Sequence, residues 1–115
     1  MPIKPLFWAG AALAELRGFP AEARRQAGYE LHRVQEGLEP SDWRPMPSVG
    51  AGVVEIRIHT DIECRVFYVA KHREGVYVLH AFEKRSQQTS QRDIDLSRER
   101  LAAVLEYRRG RDETT

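Results

Sequence analysis

Val53-Val-Glu-Ile-Arg-Ile-His59, Cys64-Arg-Val-Phe-Tyr-Val-Ala70 and Val76-Tyr-Val-Leu-His-Ala-Phe82, the last running into Glu83-Lys84-Arg85, form the stretch whose reading decides the fold. In the first segment Val54, Ile56 and Ile58 alternate with Glu55, Arg57 and His59, the period-two pattern of a half-buried strand. The other two are rich in β-branched and aromatic residues, as strands are. Both carry apolar groups on two faces: Val66 and Tyr68 against Phe67 and Val69, then Val78 and Phe82 against Tyr77 and Leu79. Such strands call for cover on both sides of the sheet. Asp61-Ile-Glu63 and Arg73-Glu-Gly75 turn the chain between them, so the stretch predicts an antiparallel meander of three strands.

Working outward, Ile3 to Trp8 reads as a short strand and Gly10 to Leu16 as a helix with Leu13 and Leu16 on one face. Pro20 suits the first turn of a second helix, where its missing N–H costs nothing. Ala23, Ala27, Leu31 and Val34 then recur at helical spacing up to a stop at Gly37, so the two helices form a hairpin. From Glu39 to Gly52, Pro40, Pro45 and Pro47 with the intervening serines and glycines predict a connecting loop, with Trp43 as its anchor. Downstream, Ser90 followed by Asp93 is a capping-box-like start to a closing helix with Ile94, Leu101 and Leu105 on one stripe. That helix is expected to end near Gly110. The expected class is α+β, one domain over residues 1–110: an antiparallel sheet made of the N-terminal strand plus the meander, packed with an N-terminal helical hairpin and a C-terminal helix. Residues 111–115 are expected to fray.

Composition narrows the function. At 115 residues the chain is long enough for one core and short for two. Apolar residues at 42% and charged residues at 30% are the balance of a folded globular chain. A net charge of +1 supplies no whole-molecule basic field, so any nucleic-acid site must be a local patch. The single cysteine, Cys64, cannot form an intramolecular disulfide or a cysteine-rich zinc site, which suits the cytoplasm; inside an apolar strand it reads as core. Lys4 with the apolar run from Pro5 to Ala14 has a faint likeness to a secretory leader, but Pro5 and Gly10 break it and a strand leading into a helix accounts for the same residues. Nothing approaches the roughly 20 apolar residues that span a bilayer.

The basic side chains are unevenly placed. Arg57 lies mid-strand, Arg65 near the start of the next strand, and Lys84 and Arg85 directly after the third, with Gln87 and Gln88 beyond. In an antiparallel meander these converge near one end of the sheet. Converging Arg and Lys donors suit phosphodiester binding and stabilise the negative charge added in its transition state. The competing reading is arginines on a solvated face, paired with Glu55 or Glu63. His80, whose ordinary pKa is near neutrality, is a candidate acid or base and equally a hydrogen-bonded histidine of the core. Tyr68 reads as a buried strand tyrosine before it reads as a base. His59 and His72 stand apart with no ligand spacing, so neither metal nor other cofactor is expected.

Val54-Glu-Ile-Arg57, Cys64-Arg-Val-Phe-Tyr68 and Tyr77-Val-Leu-His-Ala-Phe82-Glu-Lys84-Arg85, together with Lys4-Pro-Leu-Phe-Trp8, Phe19-Pro20, Gly28-Tyr29 and Gln35-Glu-Gly37, resemble the phage-derived branch of the RelE/HigB-type toxins. The resemblance implies the toxin of a type II toxin–antitoxin system: an endoribonuclease, or mRNA interferase, that inhibits translation by cutting mRNA without metal, commonly on the ribosome. In that chemistry the ribose 2′-hydroxyl attacks the adjacent phosphorus, and the enzyme positions the backbone and moves protons. Carried over by position, Arg65 and Arg85 stabilise the phosphate and its transition state, Arg57 contacts and positions RNA, and Lys84 is a proton-transfer candidate; His80 joins it as a catalytic candidate on its own chemistry, and Gln88 is read as a further RNA contact. A helix-turn-helix antitoxin is the implied partner, and no membrane is.

Two departures stand out. Many relatives carry a further lysine and Thr-Pro after the basic pair, where this chain has Gln88 and Thr89-Ser90, and the tyrosine that RelE uses just beyond that pair has no counterpart in Ser86 to Arg92. The general base is therefore left without an owner. The alternatives that follow are a gyrase-poisoning toxin of the ParE type, which shares the fold, and a non-enzymatic phage-derived binding protein.

Overall fold

Eight elements follow one another: β1 (Leu6–Trp8), α1 (Ala12–Arg17), α2 (Ala21–Gln35), β2 (Trp43–Pro45), β3 (Val53–His59), β4 (Glu63–Val69), β5 (Val76–Glu83) and α3 (Gln91–Glu113). They are seen in a computed structural model that describes residues 3–113. The α+β class and the β3–β4–β5 meander are as the sequence predicts, with β3 antiparallel to β4 and β4 to β5.

Three features of the sheet differ from expectation. It has five strands, in the order β1-β5-β4-β3-β2. The proline-rich loop contributes the added strand: β2 pairs antiparallel with β3, setting Trp43 against Ile56 and Pro45 against Val54. Proline is tolerated there because β2 is an edge, where a missing N–H breaks no ladder on the outer side. Trp43 is not the anchor of this segment, since its side chain is exposed. The buried Glu30 of α2 holds it instead, accepting hydrogen bonds from the Ser41 backbone N–H (2.6 Å) and hydroxyl (2.7 Å).

The second difference is that β1, shorter than Ile3 to Trp8, runs parallel to β5, pairing Leu6 with Val76 and Trp8 with Val78. The sheet is therefore mixed rather than wholly antiparallel. Everything between β1 and β5, including both helices of the hairpin, forms the connection, and a long crossover permits parallel pairing that a hairpin turn forbids.

The third is a bulge in β5. Phe67 pairs with His80 and Tyr68 with Val78, leaving Leu79 as an extra residue. An added residue reverses the alternation downstream. Val78 accordingly joins the core under α1 and α2, while Phe82 joins the core under α3, although strict alternation would put them together.

Both faces are covered, as the apolar pattern requires. Ala23, Ala27, Leu31 and Val34 of α2 pack with Ile56, Ile58, Cys64, Val66 and Tyr68 on one side. Leu101 and Val104 of α3 pack with Val53, Phe67, Val69, Tyr77 and Leu79 on the other. Leu105, expected on the buried stripe, is exposed and Val104 takes its place. Helix α3 starts with the expected cap: the Asp93 N–H donates to Ser90 Oγ (3.1 Å) and Ser90 Oγ donates to Asp93 Oδ2 (2.6 Å). The helix runs through Gly110, the expected stop, to Glu113; Thr114 and Thr115 of the expected tail lie outside the described residues. No helix among the described residues is long and apolar enough to cross a membrane.

Candidate functional site

Residues paired across antiparallel strands share a face. On the α3 side of the sheet one row runs Arg44, Glu55, Phe67, His80, and the next runs Arg57, Arg65, Phe82. The apolar part of this face is capped by α3. The charged part, toward the ends of β2, β3 and β5, opens into a cleft of about 310 Å³ lined by Arg44, Met46, Glu55, Lys84, Gln87, Gln88, Thr89 and Ile94. A smaller hollow of about 190 Å³ adjoins it through Lys84 and Gln88, and adds Arg85, Ser90 and Asp93.

Glu55 is the centre of the cluster. It is 2% exposed, and three guanidinium groups surround it: Arg44 Nε at 3.7 Å and Arg57 Nε at 4.0 Å from Oε1, and Arg65 Nε at 3.9 Å from Oε2. These are ion-pair distances beyond hydrogen-bond reach. Arg65, itself 3% exposed, donates from Nη1 to the Cys64 carbonyl (2.9 Å) and to Glu63 Oε1 (3.1 Å). The Nε atoms of Arg57 and Arg65 are buried without an acceptor, an arrangement that costs free energy and marks the cluster as incompletely satisfied by the protein.

Lys84 closes the cleft. Its backbone N–H donates to the Glu63 carbonyl (2.7 Å), extending the β4–β5 ladder by one bond and fixing where the side chain starts. Burial first, and then the neighbouring positive charge of Arg65, hold the ammonium below the usual lysine pKa; Glu55 opposes this and Arg57 and Arg44 add to it. A lowered pKa suits a lysine that is to transfer a proton.

Arg57, Arg65 and Lys84 thus come together, as the strand pattern predicts. Arg85 does not join them: its side chain is 82% exposed at the rim, with a 3.4 Å contact to Glu83. Gln88 lines both hollows. The competing reading of the arginines is met in part, because Glu63 does bond Arg65, while Glu55 stands off from all three.

His80 lies one layer behind the cleft. It is 4% exposed, with Nδ1 2.9 Å from Glu15 Oε1 and Nε2 2.7 Å from Asp93 Oδ1, and its ring stacks on Phe82 at 4.8 Å between centroids. Arg100 completes the cluster, donating to both Glu15 oxygens (2.7 and 2.9 Å) and to the Leu79 carbonyl (3.0 Å). With both ring nitrogens engaged, His80 ties α1, β5 and α3 together. Tyr68 lies in the core under α1 and α2, where burial pushes its hydroxyl up to about 12, and Cys64 is fully buried with its thiol pushed up to about 11 by burial.

Arg44 and Glu55 are the site residues that sequence reasoning missed. Arg44 sits in the segment read as a loop, and only the pairing of β2 with β3 brings it to the cleft. Glu55 was visible as a polar residue facing the same way as Arg57, but its burial was not.

The sequence model of the family described as phage derived protein Gp49-like (DUF891) matches residues 14–102 of the chain. No curated protein matches it.

Proposed function

The chain belongs to the phage-derived Gp49-like family, a family of RelE-like toxins, and on that premise we propose that it is the toxin of a type II toxin–antitoxin pair, cutting mRNA in the cytoplasm by 2′-hydroxyl attack. The observation that carries this reading is the cleft lined by Arg44, Glu55 and Lys84, with Arg57 and the buried Arg65 packed around Glu55 at its wall. Arg65 and Arg57 balance the charge that builds on the phosphorane, and Arg44 and Gln88 hold the RNA backbone at the mouth of the cleft. Lys84, with its lowered pKa, protonates the departing 5′ oxygen. Arg85, at the rim, contacts the flanking phosphate. No side chain in this scheme needs a metal ion.

The partner in this reading is a helix-turn-helix antitoxin, and the substrate is mRNA, cut on the ribosome. Induction of the chain alone, followed by growth measurement and mapping of mRNA 5′ ends, tests it: growth arrest with new 5′-hydroxyl ends is expected, and intact mRNA overturns it. A second reading, a non-enzymatic binding protein, draws on the carboxylates of Glu55 and Glu63 already facing the arginines. Steeply salt-dependent RNA binding argues against that alternative, because phosphate contacts release counterions.

A further inference from the structure

The ribonuclease reading leaves one role empty, the group that takes the proton from the 2′-hydroxyl. Four chemical types in and around this sheet are candidates for it. His80 has both nitrogens bonded to carboxylates. Tyr68 lies on the other face of the sheet. Lys84 is wanted in its protonated form. That leaves the carboxylates, which differ in how their oxygens are occupied. Glu63 faces His59 Nδ1 with both oxygens (2.8 and 2.9 Å) and accepts from Arg65. Asp93 is held by His80 at Oδ1 and by Ser90 at Oδ2. Glu83 pairs with Cys64 across the strands, contacts Arg85 and does not line the larger cleft.

Glu55 alone among them lines that cleft without accepting a hydrogen bond of the described residues. Its three guanidinium neighbours stand at 3.7 to 4.0 Å, within ion-pair range and too far to occupy its lone pairs. Resting on the ribonuclease reading, we propose that Glu55 is the proton acceptor. The 2′-hydroxyl gives its proton to a Glu55 oxygen as the 2′-oxygen bonds to phosphorus. The bond from phosphorus to the 5′ oxygen then breaks, and that oxygen takes a proton from Lys84. The products are a 2′,3′-cyclic phosphate and a 5′-hydroxyl, and exchange with solvent water returns both side chains to their starting forms. Two of the arginines that ring Glu55, Arg57 and Arg65, are those assigned to the phosphorane in this reading, so transfer of the proton to Glu55 frees their field for the phosphate.

The test is single-turnover cleavage of an end-labelled, mixed-sequence single-stranded RNA by the purified full chain, free and on programmed ribosomes, across a range of pH. For Glu55→Gln the rate is expected to fall about 10²-fold or more, the range typical of removing a general base, with the acidic limb of the pH profile gone and RNA affinity kept. Glu55→Asp keeps the buried charge but shortens its reach; a lower rate with the acidic limb retained is expected, and it supplies the answer if the glutamine variant does not fold. A folded Glu55→Gln that cleaves within about threefold of wild type, or, where the glutamine variant does not fold, wild-type rate and pH profile in Glu55→Asp, overturns the role of Glu55 and leaves the ribonuclease reading standing. A wild-type chain that cleaves in neither format overturns both.

Discussion

Arg57 and Arg65 stand directly opposite each other across β3 and β4, two like charges side by side on one face, with Glu55 as the counter-ion they share. Like charges placed this way repel, and the pair persists because a buried carboxylate lies between them. The two arginines differ in burial, and that difference separates their expected behaviour. Arg65→Lys keeps the charge and removes the fork; cleavage is expected to fall about 10²-fold, the scale of losing one preorganised charge-stabilising donor. Arg57→Lys, at a half-buried position, is expected to weaken RNA binding more than the chemical step, read as a rise in Kd larger than the fall in single-turnover rate.

Lys84 must be protonated to donate, and burial together with Arg65 lowers its pKa. The donor form is therefore lost at a lower pH than for an ordinary lysine, and the alkaline limb of the cleavage profile should fall below pH 10.5, the reference value. Lys84→Arg should move that limb upward while lowering the plateau, since a guanidinium gives up its proton far less readily. A profile with no alkaline limb in either protein counts against Lys84 as the acid.

His80→Ala removes the ring that bonds both Glu15 and Asp93 and leaves Glu15 paired with Arg100 alone. Removing one member of a buried charged cluster costs about 3 kcal/mol or more, so a clear drop in melting temperature is expected. Because the ring holds Asp93 at the start of α3 rather than touching the cleft, cleavage at a temperature where the variant is folded should fall less than for Arg65→Lys. A loss of activity with unchanged melting would instead place His80 in the chemistry.

Gly75 precedes β5 where β1 docks. A Cβ there would meet the Pro5 carbonyl oxygen and the Phe7 ring, each at 2.6 Å. The Pro5 carbonyl also accepts the Val76 N–H that begins the β1–β5 pairing (2.9 Å). Gly75→Ala should therefore detach β1 in part, costing about 1 to 3 kcal/mol as overpacking does, with faster amide exchange at Val76 as the local readout. Unchanged exchange at that amide would show that the edge absorbs the methyl group.

Much of this molecule could be read along the chain. Alternation in Val53 to His59 and the two-sided apolar strands after it specify the meander and the need for helices on both faces, and Ala23, Ala27, Leu31 and Val34 mark the buried side of α2, since each of these signals is a local periodicity. The cleft was legible only as its local part. Arg57, Arg65 and Lys84 are placed by strands that neighbour one another in sequence, so their convergence follows from two short turns. Arg85 stands apart because, two residues past the end of β5, no ladder fixes which way its side chain turns.

What the amino-acid sequence determined by itself is the α+β class, the antiparallel core and three members of the basic cluster, because each depends on side-chain periodicity within a few residues and on turns too short to allow another pairing. Only the tertiary structure decided that β1 lies parallel to β5, that Trp43–Pro45 becomes an edge strand carrying Arg44, that an extra residue at Leu79 turns Val78 and Phe82 to opposite faces, and that His80 is held between Glu15 and Asp93. Each of these joins residues distant in sequence, and no local period records which long-range pairing has the lowest free energy. The burial of Glu55 among three arginines is the same kind of fact: a glutamate on the polar side of a strand is solvated until another strand and a loop close over it.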